Sequence, residues 1–237
     1  VFVSDAIPGE TVRARVSDDR KKSFWRADAV EVLQPSEHRR EHVWSAAAID
    51  RDPRGRAGGA EFGHIALAHQ RELKRQVLAE SLQRMAGIQS DVVVEPLPGD
   101  PAVNGLGWRT RIRLHVDDQG RLGPMASRSH SVIPVQDVPL ATAAVQAATP
   151  FAERFVGLGT LDVIAPTTSD PRLVIGEQKP TVIRELVGER EFQLDDTGFW
   201  QVHLAAPVAL TRAVQEAIDP ALFDPRAENL DLYGGVG

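Results

Sequence analysis

The sequence contains no cysteine in its 237 residues, which excludes disulfides, thiolate metal sites and a cysteine nucleophile among them. No apolar run approaches the roughly 18–20 residues that cross a bilayer, and no charged-then-apolar leader opens the chain. The expectation is a soluble, cytoplasmic protein with no membrane partner. Excess positive charge is lacking too: 27 Lys+Arg stand against 33 Asp+Glu, a formal net charge of -6. A polyanion would therefore have to be met by a local basic surface, not by bulk charge. His38, His42 and His64 lack ligand-grade spacing, so no metal site is expected. The length allows one large or two small domains with real cores. Val1 stands where an initiator Met would, and the chain closes inside a glycine cluster, so it reads as a fragment of a longer protein.

What is present begins with short strands. Val1-Phe2-Val3, Thr11–Val16 and Phe24–Leu33 alternate or run apolar, with turn signals at Ile7-Pro8-Gly9-Glu10 and at the basic Arg20-Lys21-Lys22-Ser23. The segment Ala6-Ile7-Pro8-Gly9-Glu10 before an alternating basic strand resembles a TRAM domain, a small OB-like barrel, here incomplete, over residues 1–36. Arg13, Arg15, Lys21 and Lys22, with the aromatics Phe24 and Trp25, could hold RNA by charge and stacking; a barrel with a solvated basic rim is the other reading. Residues 37–59 are polar and broken and read as a linker or loop. Ala60–Gly87 reads as the clearest helix, with Ile65, Leu67, Leu73, Val77, Leu78, Leu82 and Met85 at helical spacing and Gly87 as its stop.

From Asp91 to about Leu194 the pattern is β-rich. In Trp108–Val116, alternation puts Trp108, Ile112, Leu114 and Val116 on one face and Arg109, Arg111, Arg113 and His115 on the other. Guanidiniums on every second residue stand roughly 6.6 Å apart at about 3.3 Å per residue, near the spacing of consecutive phosphates on one strand. Asp117-Asp118-Gln119-Gly120 reads as a hairpin turn, and Arg121–Val135 as a returning strand that carries Arg128. These arginines read as a backbone-contacting RNA platform, or as the wet side of a half-exposed strand. Ala141–Val156 reads as helical. Leu161–Ala165, Arg172–Ile175 and Thr181–Leu186 read as strands, followed by Glu191–Leu194.

The last forty or so residues are the most specific. Phe199-Trp200-Gln201-Val202-His203 precedes a helical pattern from Pro207 to Ile218, and then comes Asp231-Leu232-Tyr233-Gly234-Gly235-Val236-Gly237. This order resembles the S-adenosylmethionine-dependent RNA 5-methyluridine methyltransferases, whose usual form is close to FxQVN followed by DLYCGxG. Further likenesses are the Arg strand, the hairpin after it and Asp137-Val138-Pro139-Leu140 in place of a CPL-like element. The resemblance implies an α+β multidomain chain. It would hold the TRAM barrel (1–36), the linker (37–59), a helix packing on the catalytic domain (60–88), a central β-rich RNA-binding domain (89–195) and the start of a Rossmann-like class I methyltransferase domain (196–237).

It also implies a cofactor, S-adenosylmethionine, held in an incomplete site by Gln201, Tyr233, Gly234, Gly235 and Gly237, with Phe199 stacking near a flipped uracil. The partner would be ribosomal or transfer RNA. Several relatives bind an iron-sulfur cluster through four cysteines; none is expected here. Methylation at uracil C5 proceeds in the family through a Cys thiolate added at C6 and a general base that removes the C5 proton. Both are expected downstream, so no catalytic residue is assigned here and this chain alone is expected to be inactive. His203 departs from the family's Asn. The plain reading of the same residues has Phe199 and Trp200 in a core and Gln201 capping a helix. Rival functions are a non-catalytic RNA-binding protein and an S-adenosylmethionine user that modifies another base. Leu230, Leu232 and Val236 are expected to pack on the central domain or on another copy of the chain, or to be poorly ordered.

Overall fold

The computed structural model describes residues 1–97, 104–222, 224–228 and 230. The chain divides into two compact units: Val1–Pro96 with Leu114–Pro139 and Phe151–Thr160, and Leu97–Arg113 with Leu140–Pro150 and Leu161–Gly237. Among the described residues several sheets and three α-helices make a mixed α/β fold. Among the described residues no helix is long and apolar enough to cross a membrane.

The first unit opens on β1 (Phe2–Ser4), β2 (Thr11–Lys21) and β3 (Phe24–Gln34), in the order β1-β3-β2. β2 and β3 form a hairpin with Lys21 opposite Phe24, so the turn is tighter than the basic cluster suggested, and β1 lies parallel to β3. The inward residues of β3 are small, Ala27 and Ala29, at 1% and 0% exposure. That face is closed by a side chain from the next segment. Arg56 is buried and donates to the carbonyls of Ala29, Ile49 and Arg51 and to the Asp5 carboxylate. One guanidinium thus satisfies three backbone carbonyls and a carboxylate at once.

The 37–59 stretch is therefore coil, as its composition suggests, yet not an exposed tether. Trp44, Ala47 and Ala57 are buried along with Arg56, and the Trp44 indole donates to Asp137 at 2.9 Å. The helix α1 (Leu67–Ala86) starts seven residues later than the first position read as helical and ends at Gly87, whose φ of 68° closes it. Residues 60–66 instead turn tightly (Gly63 N–H to Ala60 O, 2.8 Å; Ile65 N–H to Phe62 O, 3.0 Å) and pair with the coil at Arg39 and Arg40. A Cβ at Gly63 would collide with the His42 ring, so glycine is what lets this turn close. The apolar residues of α1 stay uncovered: Val77, Leu78 and Met85 are exposed.

β4 (Arg111–Val116) is the strand by which the chain passes from the second unit to the first. Its end pairs with β5 (Leu122–Gly123) around the expected turn, where Asp117 accepts the Gln119 and Arg121 amides and Gly120 takes φ 76°. The returning strand is only two residues long, not the Arg121–Val135 run read from sequence. A Cβ at Gly123 would strike the Ile133 carbonyl, and the chain continues irregularly with a lone Met125–Val132 bridge.

In the second unit α2 (Ala143–Ala148) is one short piece of the stretch read as helical. Thr142 caps its start, and Pro150 follows its end. β6 (Thr160–Ile164) pairs with β7 (Arg172–Ile175), and β8 (Val182–Val187) with β9 (Arg190–Asp195) in register. Ile164, Val174, Ile183 and Leu194 form one apolar cluster, with Trp200 packed against it. α3 (Ala206–Ala217) carries Pro207 in its first turn, where the missing N–H is harmless.

Candidate functional site

The second unit ties the Phe199–His203 segment to the start of the Arg strand. Val202 O accepts the Thr110 amide at 2.7 Å and its hydroxyl at 3.1 Å, and Leu204 N–H donates to Trp108 O at 3.0 Å. Arg109 makes a single backbone bridge to His203, and the Trp108 and His203 rings stack with centroids 5.4 Å apart. Arg111 adds a side-chain tie: it donates to Gly198 O and to Glu185 Oε1, both at 3.1 Å. The other Glu185 oxygen accepts the Thr167 amide at 3.0 Å.

Extended backbone alternates its side chains, and the result is an inward Trp200 and an outward Phe199. Trp200 meets Phe192 at 5.7 Å and the apolar cluster below it. Phe199 is 81% exposed, and Gln201 is exposed as well. An anchored segment that turns a phenyl ring and an amide to solvent is a surface prepared to stack and to hydrogen-bond. Tyr233, Gly234, Gly235 and Gly237 lie outside the described residues, as do Leu232 and Val236.

Within β4 the alternation read for the Arg strand is seen, with Ile112 and Leu114 buried at 7% and 2%; Trp108 and Val116 are only half-buried, Arg109 lies against the Trp108 ring instead of on the opposite face, and the guanidiniums have partners that the sequence did not reveal. Arg113 makes a bidentate pair with Asp162 of β6 at 2.7 Å on each arm, which raises its pKa, and its side chain is 62% exposed. Arg111 is far more enclosed, at 11% exposure against 2% for Glu185. The Arg109 guanidinium lies 5.2 Å from the Trp108 ring centroid, and burial lowers its pKa. Arg111 thus anchors the Gly198–Gln201 segment, whereas Arg113 faces water and can exchange its carboxylate for a phosphate.

The remaining basic residues belong to the first unit. Arg13 pairs with Glu31, and Arg15 with Asp52 at 2.9 Å, all well exposed; pairs of this kind contribute about 0–1 kcal/mol and are screened by salt. Lys21 ends β2 and Lys22 occupies the turn. Arg128, at φ 56°, bonds the Ser4 hydroxyl and Asp28. Sequence reasoning missed Glu185. The available signal was a charged residue at the middle of the Ile183-x-Glu185-x-Val187 series, whose other members face the core.

No protein-family model matches the chain. It is 34% identical over 276 aligned residues to an uncharacterized RNA methyltransferase of Streptomyces coelicolor, covering 100% of this chain and 58% of that protein. The chain is thus similar along its whole length to proteins named RNA methyltransferases. A second relative, the 23S rRNA (uracil-C5)-methyltransferase RlmD of Alkalilimnicola ehrlichii, is 37% identical over 123 residues, 52% of this chain and 25% of that protein. Among solved structures, a similar fold is found in the Pyrococcus abyssi tRNA (uracil-54, C5)-methyltransferase in complex with S-adenosyl-L-homocysteine. Its TM-score is 0.58 at 16% identity, over 92% of this chain and 60% of that one. The chain spans about three-fifths of the length of the curated relatives it matches end to end.

Proposed function

We propose that the protein methylates uracil C5 in RNA with S-adenosylmethionine, and that these residues supply its RNA-binding surfaces and the entrance to its methyltransferase domain. The observation that carries this reading is the Gly198–Leu204 segment, tied to Trp108–Arg111 and presenting Phe199 and Gln201 outward. Within it, residues 1–36 are a TRAM barrel, 37–59 join it to the helix of 60–88, 89–195 form the RNA-binding centre and 196–237 begin a Rossmann-like catalytic domain. The exposed apolar residues of α1, and separately Val208, Leu210 and Val214 of α3, are the faces on which the catalytic domain packs.

S-adenosylmethionine supplies an electrophilic methyl group. Of the residues assigned to hold it, Gln201 is among those described, and its exposed amide on a fixed segment fits a hydrogen-bonding role. Phe199 offers a phenyl face to an extruded uracil. The thiolate that adds at C6 is not among these residues, which contain no cysteine.

Phe199→Ala is expected to weaken binding of uridine-containing RNA roughly 5- to 150-fold, the equivalent of about 1–3 kcal/mol for one stacked base. Its stability should stay within about 0.5 kcal/mol of the parent, because the ring is 81% exposed. Equilibrium binding set beside denaturant titration checks both halves.

The activity itself is tested by incubating RNA with methyl-labelled S-adenosylmethionine and the protein expressed from its native gene, then separating the nucleosides. Label in 5-methyluridine is the expected result, and the 237 residues alone should yield none. Label on another base would identify a different methyltransferase. RNA binding without any label would favour a non-catalytic RNA-binding protein.

A further inference from the structure

A cleft of about 740 Å³ opens in the first unit, within the roughly 300–1,000 Å³ usual for small-ligand sites. At its wall stands His64, 5% exposed, with neither ring nitrogen bonded to anything. Leaving a buried polar group unpaired is unfavourable, and two polar neighbours in the same wall are fully paired. His42, in the same wall, has Nε2 at 3.1 Å from Ala60 O and Nδ1 accepting from Trp44 N–H at 3.0 Å. Arg56 is fully engaged with Asp5 and three carbonyls. Among the described residues His69 Nε2, Arg111 Nε and Arg172 Nε are also buried without a partner, but of these residues only His64 lines the cleft. Burial, helped by Arg39 and His42, holds its pKa down to about 4. At neutral pH it is an uncharged imidazole with one N–H to give and one lone pair to receive.

The two point away from each other across the ring, so a base edge meets one of them: the N–H can give to a base carbonyl or ring nitrogen, or the lone pair can take from a base N–H. Around the opening lie the groups the rest of a nucleotide would need. Phe62, 42% exposed, lines the cleft and offers a stacking face. Arg20, Arg26, Arg54 and Arg128 line it as well, and the side chains of Arg20 and Arg54 are 86% and 91% exposed. The Asp52 partner of Arg54 forms an exposed pair worth little, so a phosphate can displace it, while Asp18 holds Arg20 through both arms of its guanidinium. Asp5 and Arg128, both lining the cleft, hold left-handed backbone at φ 61° and 56°, a conformation uncommon for non-glycine residues. Among the described residues no group of three or more metal-ligating side chains is present, so the orphaned imidazole is not one arm of such a site.

We infer that this cleft takes one unpaired nucleotide of the bound RNA, with its base set against His64 and Phe62 and its phosphate at the arginines of the opening. The inference rests on the RNA reading above and adds a second point of base contact, separate from Phe199. It also gives the first unit a hold on a base, where a solvated basic rim would reach phosphates alone.

The test uses the full chain labelled with ¹⁵N at histidine and follows the His64 ring nitrogens by NMR. Uridine 5′-monophosphate, oligouridylate, oligoadenylate and inorganic phosphate are titrated separately. Oligouridylate and oligoadenylate are each expected to shift a His64 ring nitrogen, and oligouridylate to bind tighter than the mononucleotide. Phosphate alone should leave those signals in place. His64→Leu should lower oligouridylate affinity at least tenfold, and His64→Gln should retain most of it. Phe62→Ala, at an exposed position, gives the same readout if the His64 variants fail to fold.

Oligouridylate bound with His64 unmoved would overturn the cleft assignment and leave the RNA reading standing. A response to the free mononucleotide but not to the oligomer would overturn it in favour of a site for a free nucleotide. No binding of any RNA to a folded chain would bring down both readings.

Discussion

Arg39→Ala is expected to destabilise the first unit by about 3–5 kcal/mol, the usual loss when one partner of a buried ion pair is removed. Glu10 has 0% side-chain exposure and Arg39 13%, and the two meet through two contacts of 2.6 Å. The Ile7 and Ser36 amides complete the carboxylate shell at 2.9 and 3.0 Å. Burial by itself raises the Glu10 pKa, but the Arg39 hydrogen bonds and the two amides outweigh it and hold it at about 2. The folded value lies below the ordinary 4.5, so this stabilisation is complete above the unfolded pKa and disappears as pH falls from there through about 2. Denaturant titration should show the loss at pH 7 and a smaller difference between parent and variant near pH 2. A change under 1 kcal/mol at pH 7 would mean that water reaches the carboxylate.

Glu185→Ala is expected to cost the second unit a similar 3–5 kcal/mol or so, because it strands Arg111 at 11% exposure without a counter-charge. It also frees the guanidinium that holds Gly198 O, so Trp200 fluorescence should report a looser segment. Asp162→Ala removes a carboxylate with ideal bidentate geometry, but from an arginine that is 62% exposed. It should cost no more than about 1 kcal/mol. Equal effects from the two variants would contradict the division between an anchoring Arg111 and a solvent-facing Arg113.

Those two carboxylates mark where sequence reading stops. Alternation in Arg111–Leu114 was legible because a strand's period is local. The partners of those arginines come from 49 and 74 residues away, and nothing local encodes such a pairing. The strands Arg172–Ile175 and Val182–Val187 were legible for the same reason, as was the stop at Gly87, where a left-handed residue is required. The start of α1 was misread, since apolar residues at Ile65 and Leu67 fit a helical period while Gly63 and the pairing with Arg39 hold 60–66 in a turn. The 37–59 coil looked like a tether because its burial rests on alanines, one tryptophan and Arg56, a composition with no period. At Phe199 and Trp200 both a core and an exposed reading were open. The tie from Arg111 and the apolar cluster under Trp200 decide between them.

The claim at the centre of the account is that this chain recognises RNA through these surfaces, and a salt-titrated RNA-binding measurement tests it most directly. The parent chain is compared with an Arg109→Ala/Arg113→Ala variant and with an Arg13→Ala/Arg15→Ala/Lys21→Ala/Lys22→Ala variant, leaving Arg111 in place. Each variant should bind single-stranded RNA more weakly, with the slope of log affinity against log salt reduced by up to about 0.7 per lost phosphate contact. Variants that fold and bind with the parent's affinity and slope would show that these arginines and lysines are no more than a wet face, and the RNA surface drawn here would be wrong.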